Sequence, residues 1–230
     1  MTRRAGPSRR RGGPPKGSRS VLVSEIFLSI QGESTYVGLP CIFVRLAGCN
    51  LSCDWCDTTY AASGDGAARR LTVDEVMEEV GRFDCGLVEV TGGEPLMQDE
   101  TRPLVTRLLA AGYHVLLETN GSLSLRGIEP EVVKIVDVKC PSSGQQGTFL
   151  MDNMEFIDAD DEIKFVIADR ADYEYARSLL PAFRERTRNV LFAPVKSKLE
   201  ARKLADWILE DSLDVRLQLQ IHTYIWSERR

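Results

Sequence analysis

Histidine is nearly missing from this 230-residue chain: His114 and His222 are the only two. A zinc shell built from imidazoles therefore has little to draw on. No apolar run approaches the roughly 20 residues that a membrane-spanning helix needs. No apolar stretch follows the N-terminal charges, as a secretory signal would require. Acidic residues are absent from the first nineteen positions, which carry seven basic residues among Gly and Pro. The remainder of the chain therefore carries −12, against −5 for the whole. An acidic body speaks against nucleic acid as the main partner, and the basic segment is too poor in apolar residues to bury a core. These absences point to a cytoplasmic globular protein with a disordered tail over residues 1–20 and a single domain over 21–230. In that compartment six cysteines suggest metal binding, catalysis or burial rather than disulfides.

What is present is an alternation of strand-like and helix-like runs. Residues 21–30, 41–47, 86–90, 113–118, 132–138, 162–168, 189–193 and 215–222 are apolar and rich in β-branched side chains. Between them lie helical signals. Over 71–83, Thr72 and Glu75 form a capping-box pattern, and Val73, Val76, Met77 and Val80 supply an apolar face. Residues 99–111 read as a helix stopped by Gly112, and 172–180 and 198–210 are also helix-like. Such alternation predicts an α/β fold with a mainly parallel sheet and right-handed crossovers. About six parallel strands are too few to close an eight-unit barrel, so an open partial (β/α) barrel is expected. The unusual segments CNLSCDWCDT, TGGEP, ETNG, KCPSSG and QIH each follow the carboxyl end of a predicted strand. In parallel α/β folds these ends converge on one face, which makes the segments neighbours.

CNLSCDWC places Cys49, Cys53 and Cys56 on one loop and supplies no fourth thiol beside them. Cys41, Cys85 and Cys140 are scattered, and isolated cysteines are ordinarily small buried hydrophobes; Cys140 alone sits at a strand end. Structural zinc closes a tetrahedron with four ligands, and a [4Fe–4S] cluster usually takes four thiolates. Three thiolates would leave one iron open, the mark of a metal centre that binds something.

The spacing Cys49–x3–Cys53–x2–Cys56, with Trp55 before the last cysteine and TGGEP further on, resembles the signature of the radical S-adenosylmethionine superfamily. Over a longer span the resemblance narrows. Residues 25–61, with LLETNG, DVKCPSSG, EIKFV and QIH, look like the 7-carboxy-7-deazaguanine synthase family, from about residue 21 to the end. The resemblance implies a [4Fe–4S] cluster on the three loop cysteines, with S-adenosylmethionine on its open iron. Reductive cleavage would yield an adenosyl radical that abstracts hydrogen from 6-carboxy-5,6,7,8-tetrahydropterin, so no protein side chain is the catalytic group. Ring contraction with loss of ammonia would follow. It further implies Mg2+, an electron donor of flavodoxin or ferredoxin type, and a homodimer.

Carried over by motif, the resemblance assigns S-adenosylmethionine to Trp55, Cys56, Asp57, Gly93, Asp137, Lys139 and Ser142, and Mg2+ to Thr58. The substrate falls to Ile30, Gln31, Gly32, Glu33, Arg45, Thr91, Glu118 and His222. The chemistry suits these roles. Gln31 and the backbone of Ile30 and Gly32 can read the alternating donors and acceptors of a pterin edge. Glu33 and Glu118 can accept from ring N–H groups. Arg45, inside an apolar strand, can pair bidentately with a carboxylate. Magnesium prefers oxygen ligands and keeps several waters. Two departures from the family pattern stand out: Ser34 where many members have Gly, and Thr223 where a Lys often follows the histidine. Two other readings compete. A glycyl-radical activase would share the cysteine spacing but would need neither QGE nor the threonine of CDT. A zinc-stabilised RNA-binding module would use the basic tail and show salt-sensitive binding.

Overall fold

The computed structural model describes residues 20–62 and 68–226. The tail expected over 1–20 lies outside the described residues except for Ser20, which opens the first strand. Nine strands form one sheet: β1 (Ser20–Ile30), β2 (Pro40–Leu46), β3 (Arg69–Thr72), β4 (Leu87–Gly92), β5 (His114–Thr119), β6 (Val133–Asp137), β7 (Glu162–Ile167), β8 (Asn189–Pro194) and β9 (Arg216–Leu217). Their order is β3-β1-β2-β4-β5-β6-β7-β8-β9, and the sheet does not close on itself. From β2 through β9 every neighbouring pair is parallel; β1 runs antiparallel to both β2 and β3. The open, mainly parallel sheet expected from the alternation is therefore what forms.

Six helices accompany it: α1 (Thr59–Ala62), α2 (Val73–Val80), α3 (Thr101–Ala110), α4 (Arg170–Arg184), α5 (Ala201–Glu210) and α6 (His222–Ile225). Side chains alternate across each strand. One face of the sheet, with Val44, Val90, Leu117, Val136, Phe165 and Phe192, packs into the main core with the apolar stripes of the helices. A smaller apolar floor of Cys41, Phe43, Leu87, Leu116, Val133 and Ile135 forms a second cluster.

Two elements differ from the sequence reading. Leu71 and Thr72 belong to β3, so α2 begins only at Val73. β3 pairs its backbone with Ser20–Val23, while Arg69 and Arg70 point to solvent and give it no apolar signature. Its last residue, Thr72, is also the N-cap of α2, and both arms of the capping box are present. The strand expected over 215–222 shrinks to Arg216–Leu217. After Gln218 donates to the Phe192 carbonyl at 2.9 Å, the chain leaves the sheet, and the Ile221 N–H bonds Gly32 O at 3.0 Å. That bond folds QIH over the loop that follows β1.

Candidate active site

A cavity of about 800 Å³ opens at the carboxyl ends of the parallel strands and draws lining residues from β1, β2, β4, β5, β6, β7 and β8. Register decides which side chains meet there. Arg45 stands opposite Glu25 on β1 and beside Thr91 on β4, and Asp137 stands beside Lys164 across β6 and β7. All five line the cavity, as does Glu118 at the end of β5.

Cys49, Cys53 and Cys56 line the same cavity, and none is in a disulfide. The Leu51 N–H lies 3.5 Å from Cys49 Sγ, and Asn120 Nδ2 lies 3.9 Å from it. Burial pushes the Cys49 and Cys53 thiols up, while the Lys139 ammonium draws both back toward the thiolate. Cys41 is fully buried, and Cys140 packs into the main core, its thiol pushed up by burial. Cys85 is half-buried and donates to Pro40 O at 3.3 Å. No fourth thiol joins the loop.

TGGEP acts chiefly on the chain itself. Gly92 has φ +149°, and a Cβ there would fall 2.1 Å from Leu46 O. At Gly93 a Cβ would fall 2.1 Å from Gly48 O. The glycines thus admit the backbone of the cysteine loop, held by Gly93 N–H to Leu46 O at 3.1 Å and Glu94 N–H to Gly48 O at 2.8 Å. Glu94 is fully buried and accepts from Leu96 N, Asn120 N and Thr119 Oγ1 at 2.9, 2.7 and 2.8 Å. TGGEP, ETNG and the first cysteine are therefore one connected unit.

A second group of side chains is ionic. Arg45 gives its Nε to Glu25 at 2.9 Å, and no described residue takes its two Nη groups. Glu25 also accepts from Tyr60 Oη at 2.6 Å, which joins the cysteine-loop helix α1 to this pair. Glu118 accepts from Thr91 Oγ1 at 2.9 Å and pairs with Lys164. Lys164 also reaches Glu33 at 3.0 Å and Asp137 at 3.9 Å. Burial alone would raise Glu118, but Lys164, Thr91 and Arg45 overcome it and bring the carboxyl down to about 2. Glu89 behaves oppositely. Its burial and the nearby charge of Glu118 hold it well above the usual carboxylate range.

The remaining expected residues fall as follows. Ile30, Gly32, Trp55, Asp57, Thr58, Gly93, Lys139 and His222 all line the cavity. The His222 ring packs on Gly32, where a Cβ would meet Nδ1 at 2.0 Å. Lys198 sits over the Trp55 ring at 4.4 Å, and Thr58 Oγ1 is 3.8 Å from Cys56 Sγ. Lys139 pairs with Asp137 at 2.7 Å. Two side chains depart from the sequence reading. Gln31 is buried, with Oε1 accepting the Glu33 N–H at 2.9 Å and Nε2 donating to Glu89, so its amide is spent inside the turn. Ser142 gives both its N–H, at 2.8 Å, and its hydroxyl to Asp172, and it is Ser143 that lines the cavity. Ser34 adopts φ +64°, the left-handed region that explains a glycine preference there, and its Oγ accepts the Tyr36 N–H at 3.1 Å. Thr223 Oγ1 meets the ammonium of Lys196 at 3.0 Å.

Sequence reasoning missed Lys164, Glu25, Glu89 and Gln220 as members of the site. Gln220 joins Glu33 at 2.8 Å to Asp57 at 3.2 Å. The available signal was a charge inside an apolar strand, as in EIKFV and GLVEV.

Residues 44–137 match the Radical SAM superfamily. A 7-carboxy-7-deazaguanine synthase of Koribacter versatilis is 47% identical over 221 residues, covering 89% of this chain and 96% of the relative. The chain belongs to the 7-carboxy-7-deazaguanine synthase family. A second relative of that name, from Chlorobaculum tepidum, is 46% identical and covers 89% and 94% of the two chains. The crystal structure of QueE from Escherichia coli matches with a TM-score of 0.73 at 24% identity, over 89% of this chain and 95% of that one, and so shares the fold.

Membership of the 7-carboxy-7-deazaguanine synthase family makes the protein a radical S-adenosylmethionine enzyme, which implies a [4Fe–4S] cluster and S-adenosylmethionine. The residues present fit both groups. Among the described residues no three His, Cys, Asp or Glu side chains converge on a point that would hold one metal ion. Three thiols lining one cavity without converging suit a multi-iron cluster, whose thiolates bind separate irons, better than a single zinc. The N–H groups of Leu51 and Asn120 near Cys49 suit a thiolate. Asp137 Oδ1 is buried without a hydrogen-bond partner in this family member, an acceptor fitted to a polar ligand in the cavity.

Proposed function

We propose that the protein converts 6-carboxy-5,6,7,8-tetrahydropterin to 7-carboxy-7-deazaguanine with release of ammonia, within queuosine or deazapurine biosynthesis. The observation that carries this reading is the joint lining of one cavity: three loop thiols, and with them the Arg45 guanidinium and the Glu33–Lys164–Glu118 group. When bound, the cluster and S-adenosylmethionine supply an adenosyl radical that abstracts a substrate hydrogen and later recovers it. The product is the substrate less one ammonia, so the reaction needs no net oxidant. Arg45 offers its free Nη groups to the substrate carboxylate, with Glu25 and Tyr60 fixing the guanidinium. Glu118, ionised, accepts from the pterin N–H edge. Ile30 and Gly32 present backbone groups, and His222 closes the cavity above Gly32. Asp137, Lys139, Trp55, Asp57 and Gly93 take S-adenosylmethionine, with Ser143 beside them in place of Ser142.

Thr58 is the proposed Mg2+ ligand, with substrate oxygens and water completing an oxygen shell. A flavodoxin- or ferredoxin-type donor, a homodimer and a cytoplasmic location complete the proposal. Among the described residues no helix is long and apolar enough to cross a membrane. A glycyl-radical activase is not favoured, since the curated relatives carry the synthase name.

The test is anaerobic reconstitution with iron and sulfide. S-adenosylmethionine, reductant, Mg2+ and the carboxytetrahydropterin are then added, and product is read by mass. A protein that loads a cluster and cleaves S-adenosylmethionine but leaves the pterin unchanged would refute the substrate assignment. Thr58→Ala is expected to raise the Mg2+ concentration for half-maximal rate by about tenfold, the loss of roughly 1.4 kcal/mol of binding. An Mg2+ titration superposing on that of the wild type would remove Thr58 from the role.

A further inference from the structure

Lys164 is nearly fully buried in the middle of β7, yet lines the cavity with its ammonium among three carboxylates: Glu118, Glu33 at 3.0 Å and Asp137 at 3.9 Å. Neither Glu118 nor Glu33 has another cation in an ion pair. Both come from different elements, β5 and the loop after β1, so nothing in the backbone holds them together. A lysine is rarely buried unless it is paired, and a buried cation is a strong organiser of nearby anions.

We propose that Lys164 is a positioning residue, whose ammonium holds Glu118 and Glu33 in place and charged so that they form one acceptor surface for the N–H edge of the pterin substrate. The proposal rests on the pterin reading given above. Five charged groups surround Glu118: Lys164 from β7, Arg45 from β2, Glu89 from β4, Glu33 from the loop after β1, and Asp137 from β6. Three of these are acids, and only two are cations. Thr91 adds one neutral hydrogen bond. With Lys164 gone, burial and the acids face only Arg45 and Thr91, and the balance turns toward a protonated Glu118. A protonated Glu118 presents a hydroxyl to the substrate where an acceptor is needed. Glu89 shows the outcome of that balance one pair of residues deeper on β4, where burial wins and the carboxyl is pushed up.

The sign of the pH dependence follows. In the wild type Glu118 titrates at about 2 and stays ionised across the working range. In Lys164→Met it is raised, so substrate binding is weak at low pH and recovers as pH rises.

The experiment measures KM and kcat for the carboxytetrahydropterin on cluster-loaded enzyme across about pH 6 to 9, for wild type, K164M, E118Q and the double variant. The expected result is a rise in KM of about thirtyfold for K164M at the acid end, shrinking toward the alkaline end. In the E118Q background K164M should add less than about threefold, because two residues acting through one contact are not additive. An unchanged KM, a rise independent of pH, or additive effects would overturn the proposal. Should K164M fail to fold, E118Q is compared with E118Q/K164Q, which has no unpaired charge at this pair. Equal KM values support the proposal and a further tenfold rise overturns it. Wild-type enzyme that neither binds nor converts the pterin defeats the functional reading and the proposal with it. Wild-type turnover beside an unaffected variant defeats the proposal alone.

Discussion

Replacing Cys49, Cys53 or Cys56 with alanine is expected to abolish product formation, lowering turnover below detection, while Cys41, Cys85 and Cys140 tolerate the same change. The three loop thiols line the cavity and have no fourth partner. Each would hold its own iron, so the loss of one opens a second iron rather than weakening all three contacts evenly. The scattered cysteines make different contacts. Cys140 is buried in the main core, Cys41 in the floor beneath the cavity, and the half-buried Cys85 donates to a carbonyl. Truncating Cys41 or Cys140 should cost about 1–2 kcal/mol of stability through lost burial, with the cluster retained. Iron and sulfide content, the brown absorption of the reconstituted protein and product mass are measured on all six variants. A Cys140→Ala protein that loads no cluster yet folds would make Cys140 a ligand; full turnover by any one loop variant would break the cluster assignment.

The placement of this site was legible in the sequence because buried parallel strands announce themselves as apolar runs, and their carboxyl ends lie where the polar motifs begin. Convergence of CNLSCDWC, TGGEP and ETNG needed only the topology rule. Contacts within the site were less legible. Gln31 reads as a free amide in QGE, but the turn folds it back onto Glu33 N–H and Glu89. Lys164 reads as a stray charge until the register sets it beside Asp137, with Glu118 and Glu33 within reach. Side-chain commitments of this kind depend on which strands are neighbours. The edge strand β3 left no trace for a related reason. Its pairing is made by backbone, its side chains face water, and hydrophobic periodicity records only burial.

Gly93→Ala is expected to damage both the fold and the cluster, because here the obstacle is backbone rather than a side chain that could swing away. The new Cβ would lie 2.1 Å from Gly48 O, 2.5 Å from Gly48 C and 2.9 Å from Cys49 Cβ. Separations below 3 Å force movement, and the movement available is of the cysteine loop itself. That shift breaks the bonds from Gly93 N–H to Leu46 O and from Glu94 N–H to Gly48 O. It also pulls Cys49 away from Asn120, whose own backbone is fixed by the buried Glu94. The cost should be about 3 kcal/mol or more, at the upper end for overpacking with two lost hydrogen bonds. Gly38→Ala supplies the comparison: Gly38 has φ +92° but nothing within 4 Å of its Cβ, so its cost is backbone strain alone, about 1–2 kcal/mol. Urea unfolding of the two apo variants separates strain from collision, and iron content after reconstitution reads the loop directly. Gly93→Ala should load little iron where Gly38→Ala loads fully. Equal iron content in both would mean that the cysteine loop does not need the close approach that these two glycines permit.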